Sequence, residues 1–157
     1  MPSNYLLNIY NKFSRLPAGE KLFSMFFARK APYFGTISPT ISQLRPNFCE
    51  VRFKKHKGVE NHIRTVHVIA ICNALECAMG ACAEASIPSN LRWIPKGMNV
   101  KYTAKATTDI RATAEIDPAS WGPNKEVDVI VKAMRDDGTV VVEGVIHLWV
   151  TEKPKRD

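Results

Sequence analysis

The stretch NHIRTVHVIAICNALE, residues 61–76, decides how the rest of the chain is read. It begins polar and basic, becomes almost wholly apolar, and then carries one carboxylate, Glu76, inside the apolar run. The apolar segment continues, rich in alanine, from Thr65 to about Ser86, and Pro88 stops it. That is too long for a strand, so the segment is expected to be a helix. A helix apolar nearly all round must be enclosed by other structure. Glu76 is then an acid expected to sit against Ala74, Leu75 and Met79, where an ionisable group is costly unless it is paired or used.

Outward from this helix, the pattern is one of strands. Upstream, ISPTISQL and CEVRFKKH flank an Arg45-Pro46-Asn47 turn, and Cys49, Val51 and Phe53 alternate with Glu50, Arg52 and Lys54. Downstream, MNVKYTA (98–104) and IRATAEI (110–116) alternate in the same way. EVDVIVKAM (126–134) and TVVVEGVIHLWV (139–150) are joined by Asp136-Asp137-Gly138, a hairpin signal. The N-terminal segments Asn4–Arg15 and Ala18–Arg29 have apolar residues at helical spacing and are expected to pack on the rest; Glu20 and their short length argue against a membrane-surface role. The tail, Lys153–Asp157, reads as unfolded. One antiparallel sheet of about six strands has one apolar face to cover, and the long helix needs enclosure. A strongly curved sheet wrapped around a central helix satisfies both, giving an α+β fold.

Composition narrows the setting. The length of 157 residues suits a single domain with a sizeable core. The net charge of +7 favours anionic partners without choosing among them. No aromatic-interleaved RNA motif or recognition-helix pattern is present, so nucleic acid is not expected. Cys49, Cys72, Cys77 and Cys82 form no CxxC pair and no zinc-finger spacing with the histidines, so no metal is expected, and the thiols read as small buried residues in a reducing compartment. No signal peptide is visible, and His67, Asn73 and Glu76 interrupt the most apolar window. The chain therefore reads as cytoplasmic, without a membrane span.

Asn61, His67 six residues later, and Glu76 nine residues after that resemble the motif of hotdog-fold thioesterases, the phenylacetyl-CoA type among them. The segment Met98–Tyr102 is similar to the strand that follows the helix in that family. The resemblance covers roughly residues 34–151, the expected hotdog core, and leaves residues 1–33 as an N-terminal helical extension. One departure stands out: the family's Gly-Gly after the histidine is Val68-Ile69 here. The resemblance implies an acyl-CoA thioesterase acting on an acyl-CoA or acyl-carrier thioester, with coenzyme A present only as part of the substrate and no separate cofactor. In that reading Glu76 is general base or nucleophile, Asn61 orients water or thioester, and the Val68 N–H polarises the carbonyl. Asn73, three residues before Glu76, is placed to hold the carboxylate. His67 is a further candidate near the helix start.

Nine residues at about 100° each separate His67 and Glu76 to opposite sides of the helix, about 13 Å apart along its axis. One protomer cannot join them, but a two-fold dimer can, and shared sites are what the resemblance implies. A homodimer or a dimer of dimers is therefore expected. Lys54, Lys55, Lys57, Arg64, Arg92 and Lys96 are expected around the site mouth, where they would bind coenzyme A phosphates. Other readings stay open. Glu76 can be a seam acid held by Asn73, and Asn61 a turn cap. The whole can be a non-catalytic acyl-thioester-binding module closed by Val68 and Ile69, or, less simply, a dehydratase or hydratase using His67 alone.

Overall fold

The computed structural model describes residues 4–154. The N-terminal segment forms α1 (Tyr5–Phe13) and α2 (Gly19–Lys30). Asn4 caps α1 by accepting from the Leu6 and Leu7 N–H groups, and its Nδ2 donates to the Glu84 carbonyl at 2.7 Å, tying the hairpin to the central helix. The rings of Tyr10, Phe13, Phe23, Phe26, Phe27 and Phe34 pack in a chain of edge and stacked contacts. Gly19 is required where the two helices meet, because a Cβ there would lie 1.7 Å from the Phe13 carbonyl oxygen. A 3-10 turn, Pro32–Ile37, leads into the sheet.

Six strands follow: β1 (Thr40–Arg45), β2 (Phe48–Phe53), then, beyond the long helix α3 (Val68–Ser86), β3 (Leu91–Tyr102), β4 (Ile110–Ile116), β5 (Lys125–Met134) and β6 (Val140–Glu152). They form one sheet in the order β1-β2-β4-β5-β6-β3, with every neighbouring pair antiparallel. The β1–β2 hairpin turns at Pro46 and Asn47, and Asn47 takes φ 63°, a left-handed position that asparagine tolerates. Gly138, at φ 84°, serves the β5–β6 turn. The curved sheet wraps α3, as the sequence and the hotdog resemblance led one to expect.

The core lies between helix and sheet. Ile71, Leu75 and Met79 of α3 meet Val51, Ile110, Val127, Val129 and Val131. Full burial of each large side chain stabilises the fold by about 1.5–3 kcal/mol. Alanines on both sides, Ala74, Ala78 and Ala81 against Ala112, Ala114 and Ala133, let helix and sheet approach closely. Helix α3 is long and apolar enough to cross a membrane, but 67% of its apolar window is buried inside the protein, as a core helix requires.

Four local expectations need correction. Strand β3 begins at Leu91 rather than Met98, because a bulge between Pro95 and Gly97 lets it continue along β6. Glu50 points to the outer face yet is buried, since Ser42 Oγ (2.7 Å), Arg52 Nε (2.8 Å) and Arg111 (3.8 Å) close over it. Helix α3 starts at Val68 instead of Thr65. Lys153 is tied down by its N–H to Asn90 O and its Nζ to Ser89 O, both at 2.8 Å. Residues 155–157 of the expected tail lie outside the described residues.

Candidate active site

The approach to α3 is a braced loop. Asn61 N–H donates to the Thr65 carbonyl, Asn61 Oδ1 accepts from the Ile63 and Thr65 N–H groups, and Nδ2 donates to Thr65 Oγ1 at 2.8 Å. The side chain thus uses both ends to hold the turn, in which Arg64 takes φ 64°. The local reason is the short amide's ability to mimic backbone hydrogen bonding. Next, Val66 N–H donates to Ala106 O and His67 N–H to Val59 O, fixing the height at which the helix begins.

His67 caps α3. Its Nδ1 accepts from the Ile69 N–H at 3.1 Å, and its carbonyl accepts from Ala70 and Ile71. The Val68 N–H is the first donor of the helix and has no acceptor among the described residues. It carries the helix's partial positive charge and can receive an anion or a polarised carbonyl oxygen.

Beyond this start, one stripe of α3 stays uncovered. Ile69 is 53% exposed, and Cys72 and Glu76 are half-buried, at spacings of three and seven residues that place them on one side. Glu76 makes no hydrogen bond or ion pair among the described residues. Burial, and then the neighbouring Glu76 charge, raise the Cys72 thiol above its ordinary value. The acid is therefore not enclosed within the protomer as the apolar run suggested. Asn73 does not hold it either. That side chain is buried and turned to the 3-10 turn, where Nδ2 donates to Tyr33 O (3.2 Å) and Thr36 Oγ1 (3.1 Å), and Oδ1 is left without a partner. The 60° between positions three apart on a helix is enough to put the two residues on different neighbours.

The six expected cations do not form one patch in the protomer. Lys54, Lys55, Lys57 and Arg64 lie near the helix entry, whereas Arg92 and Lys96 lie at the start of β3, beside the helix's far end. Several are engaged. Lys55 pairs with Glu60 at 2.7 Å, Lys54 stands 3.8 Å from Asp109, Arg92 donates to Thr151, and Lys96 sits over the Trp149 ring. Sequence proximity to the helix and to the following strand did not reveal that the strand starts where the helix ends.

Two further groupings were not legible in the sequence. Glu126, Asp128 and His147 converge on the outer face of β5 and β6, with His147 Nδ1 at 3.1 and 2.7 Å from the two carboxylates. Their ligand atoms lie close enough to hold a metal ion. The alternation of β5 placed both acids on one face, but only the register opposes Asp128 to His147. The buried thiols of Cys49, Cys77 and Cys82 also lie near one another, and burial pushes Cys77 and Cys82 up to about 12.

Among solved structures, a structural-genomics crystal structure is 40% identical, covers 95% of this chain and 99% of its own, and superposes with a TM-score of 0.82. A Pseudomonas aeruginosa protein of unknown function, described as a probable thioesterase, is 22% identical over 88% of this chain and 97% of its own, with a TM-score of 0.75. A thioesterase family protein from Silicibacter pomeroyi is 15% identical over 87% of this chain and 100% of its own, with a TM-score of 0.69. No curated protein matches significantly. The last two similarities establish the shared hotdog fold. The family described as a domain of unknown function, DUF4442, matches residues 19–150. The chain belongs to that family, and its fold is the hotdog fold.

Proposed function

We propose that the chain is an acyl-CoA thioesterase whose site is completed by a second copy of itself, in the cytoplasm. The observation that carries this reading is the uncovered stripe Ile69–Cys72–Glu76 on an otherwise enclosed helix. A lone carboxylate on an apolar stripe, closed into a slot by the second copy, is what water activation at a thioester carbonyl needs. The edge strand β3 supports the same partner: Ile94 is 60% and Tyr102 64% exposed on a strand whose outer edge is unpaired, and such edges are normally covered. In the dimer, Glu76 of one copy acts as base or nucleophile opposite the helix start of the other. The Val68 N–H polarises the carbonyl, and Asn61 fixes the loop that presents it. Lys57 and Arg64 are the cations at that entry for coenzyme A phosphates.

The second reading is a non-catalytic acyl-thioester-binding module. It is favoured by Val68 and the exposed Ile69 standing where the resemblance places glycines, since their β-branched side chains narrow the approach to the Val68 N–H. The dehydratase reading ranks lower, because His67 Nδ1 is occupied as a helix cap. Turnover of a panel of acyl-CoAs by wild type and Glu76→Gln separates these readings. Hydrolysis that collapses in the variant supports the thioesterase. Thermal stabilisation by the panel without any hydrolysis supports the module. A monomer at micromolar concentration in sedimentation would sink the shared site.

A further inference from the structure

A concavity that shares no lining residue with the Ile69–Cys72–Glu76 stripe lies between α2 and the segment that enters the sheet. Its volume is about 520 Å³, within the range of small-molecule sites. Met25 and Ala28 of α2 form one wall, and Ile37 and Pro39 form the other. Lys21, Lys54 and His56 line the same groove, and no carboxylate does. His56 Nδ1 accepts from the Gly58 N–H, so the proton of the neutral ring is on Nε2 and remains to be donated. The nearest acid to Lys54 is Asp109, at 3.8 Å and on a largely exposed pair, an interaction that a ligand carboxylate displaces readily. Met25 itself is 61% exposed, a large apolar side chain left open at the rim.

We propose that this groove binds a medium-chain fatty-acid carboxylate. The cations Lys21 and Lys54, with the His56 N–H, receive the carboxylate, and Met25, Ala28, Ile37 and Pro39 receive the chain. An uncharged lipid would leave the cations unused, and no Phe, Tyr or Trp lines the groove to stack a nucleobase, so a nucleotide fits poorly. The groove needs α2, which lies outside the expected hotdog core but inside the span of the family match. Hydrolysis of an acyl thioester releases an acid of this class, so the groove would sense or hold product. The binding itself does not depend on Glu76 and stands or falls separately from turnover.

The test is calorimetric titration of the whole protein with decanoate and with decan-1-ol. Decanoate is expected to bind saturably, and decan-1-ol at least about tenfold more weakly. The double variant Lys21→Gln/Lys54→Gln should lose at least about tenfold in decanoate affinity and leave decan-1-ol unchanged. Ala28→Trp should block both ligands by filling the groove, and Glu76→Gln should bind decanoate like wild type. If Ala28→Trp fails to fold, the lysine pair, both exposed, decides alone. Absence of saturable decanoate binding overturns the proposal, as does equal affinity for acid and alcohol. It is also overturned if Glu76→Gln abolishes binding while Ala28→Trp retains it, which would put the acid in the thioester site. Co-sedimentation with phosphatidylglycerol vesicles without binding of free decanoate overturns it in favour of a membrane surface.

Discussion

The two halves of α3 differ in what surrounds them. From Cys77 to Ala83 every residue is buried, and Cys77, Ala78, Ala81, Cys82 and Ala83 are wholly inaccessible. From Val68 to Glu76 the same helix alternates between buried positions and an open stripe. Apart from Met79, the sealed half is made of small residues, which lets the sheet come close to it. The open half carries a cap, a free N–H and an acid, none of which a sealed helix retains without partners. One helix thus provides both the core of the protomer and the surface on which we place the chemistry.

The strongest test of the sealed half is Met79→Ala. Met79 is only 1% exposed, so the substitution should lower unfolding stability by about 2–5 kcal/mol in urea denaturation. A loss below about 1 kcal/mol would mean that the enclosure is loose. On the open side, Glu76→Gln should keep the fold and lower acyl-CoA turnover about a hundredfold, equivalent to about 2.7 kcal/mol of barrier. Turnover within a few-fold of wild type would reduce the open half to a dimer seam.

Thiol titration sharpens the contrast. Burial, followed in effect by the Glu76 charge, raises Cys77 from 9.0 to about 12, and burial does the same for Cys82. Below pH 9 both folded and unfolded chains hold these thiols protonated, so the stability they contribute is intact. Above it the unfolded chain releases protons that the folded chain keeps. Stability should therefore fall as pH rises from about 9 to about 12, by about 1.4 kcal/mol per pH unit for each thiol. A Cys77→Ala/Cys82→Ala protein should show a shallower slope in denaturation measured across that range. An unchanged slope would mean that other groups dominate. The smallest expected effect is at the helix start: His67→Ala should cost about 1 kcal/mol through the lost cap, read by thermal unfolding. A loss of turnover well beyond that cost would move His67 into the mechanism.

The Asn61–His67–Glu76 spacing singled out three residues that the structure places in the loop, at the helix cap and on the open stripe, but the direction of each side chain had to come from packing. Asn61 is turned into its own loop, where Thr65 offers both an N–H donor and a hydroxyl acceptor. Asn73 is turned to Tyr33 and Thr36, residues 40 and 37 positions away, which no helical spacing could indicate. The six cations were read as one patch because they flank the helix in sequence. A helix of 19 residues carries its two ends about 28 Å apart, so the flanks separate in space.

The sequence by itself determined the element types and their order: periodicities of two and 3.6, the Asp137-Gly138 turn and the stop at Pro88 are local properties, decided within a few residues. It also determined that the alanine-rich helix must be enclosed. Only the tertiary structure decided which side of that helix the sheet leaves open, that Glu50 is covered while Glu76 is not, and that α2 and the sheet entrance form a basic groove. Those outcomes depend on strand register and on contacts between residues far apart in the chain, and hydrophobic patterning says that a face is buried without saying against what.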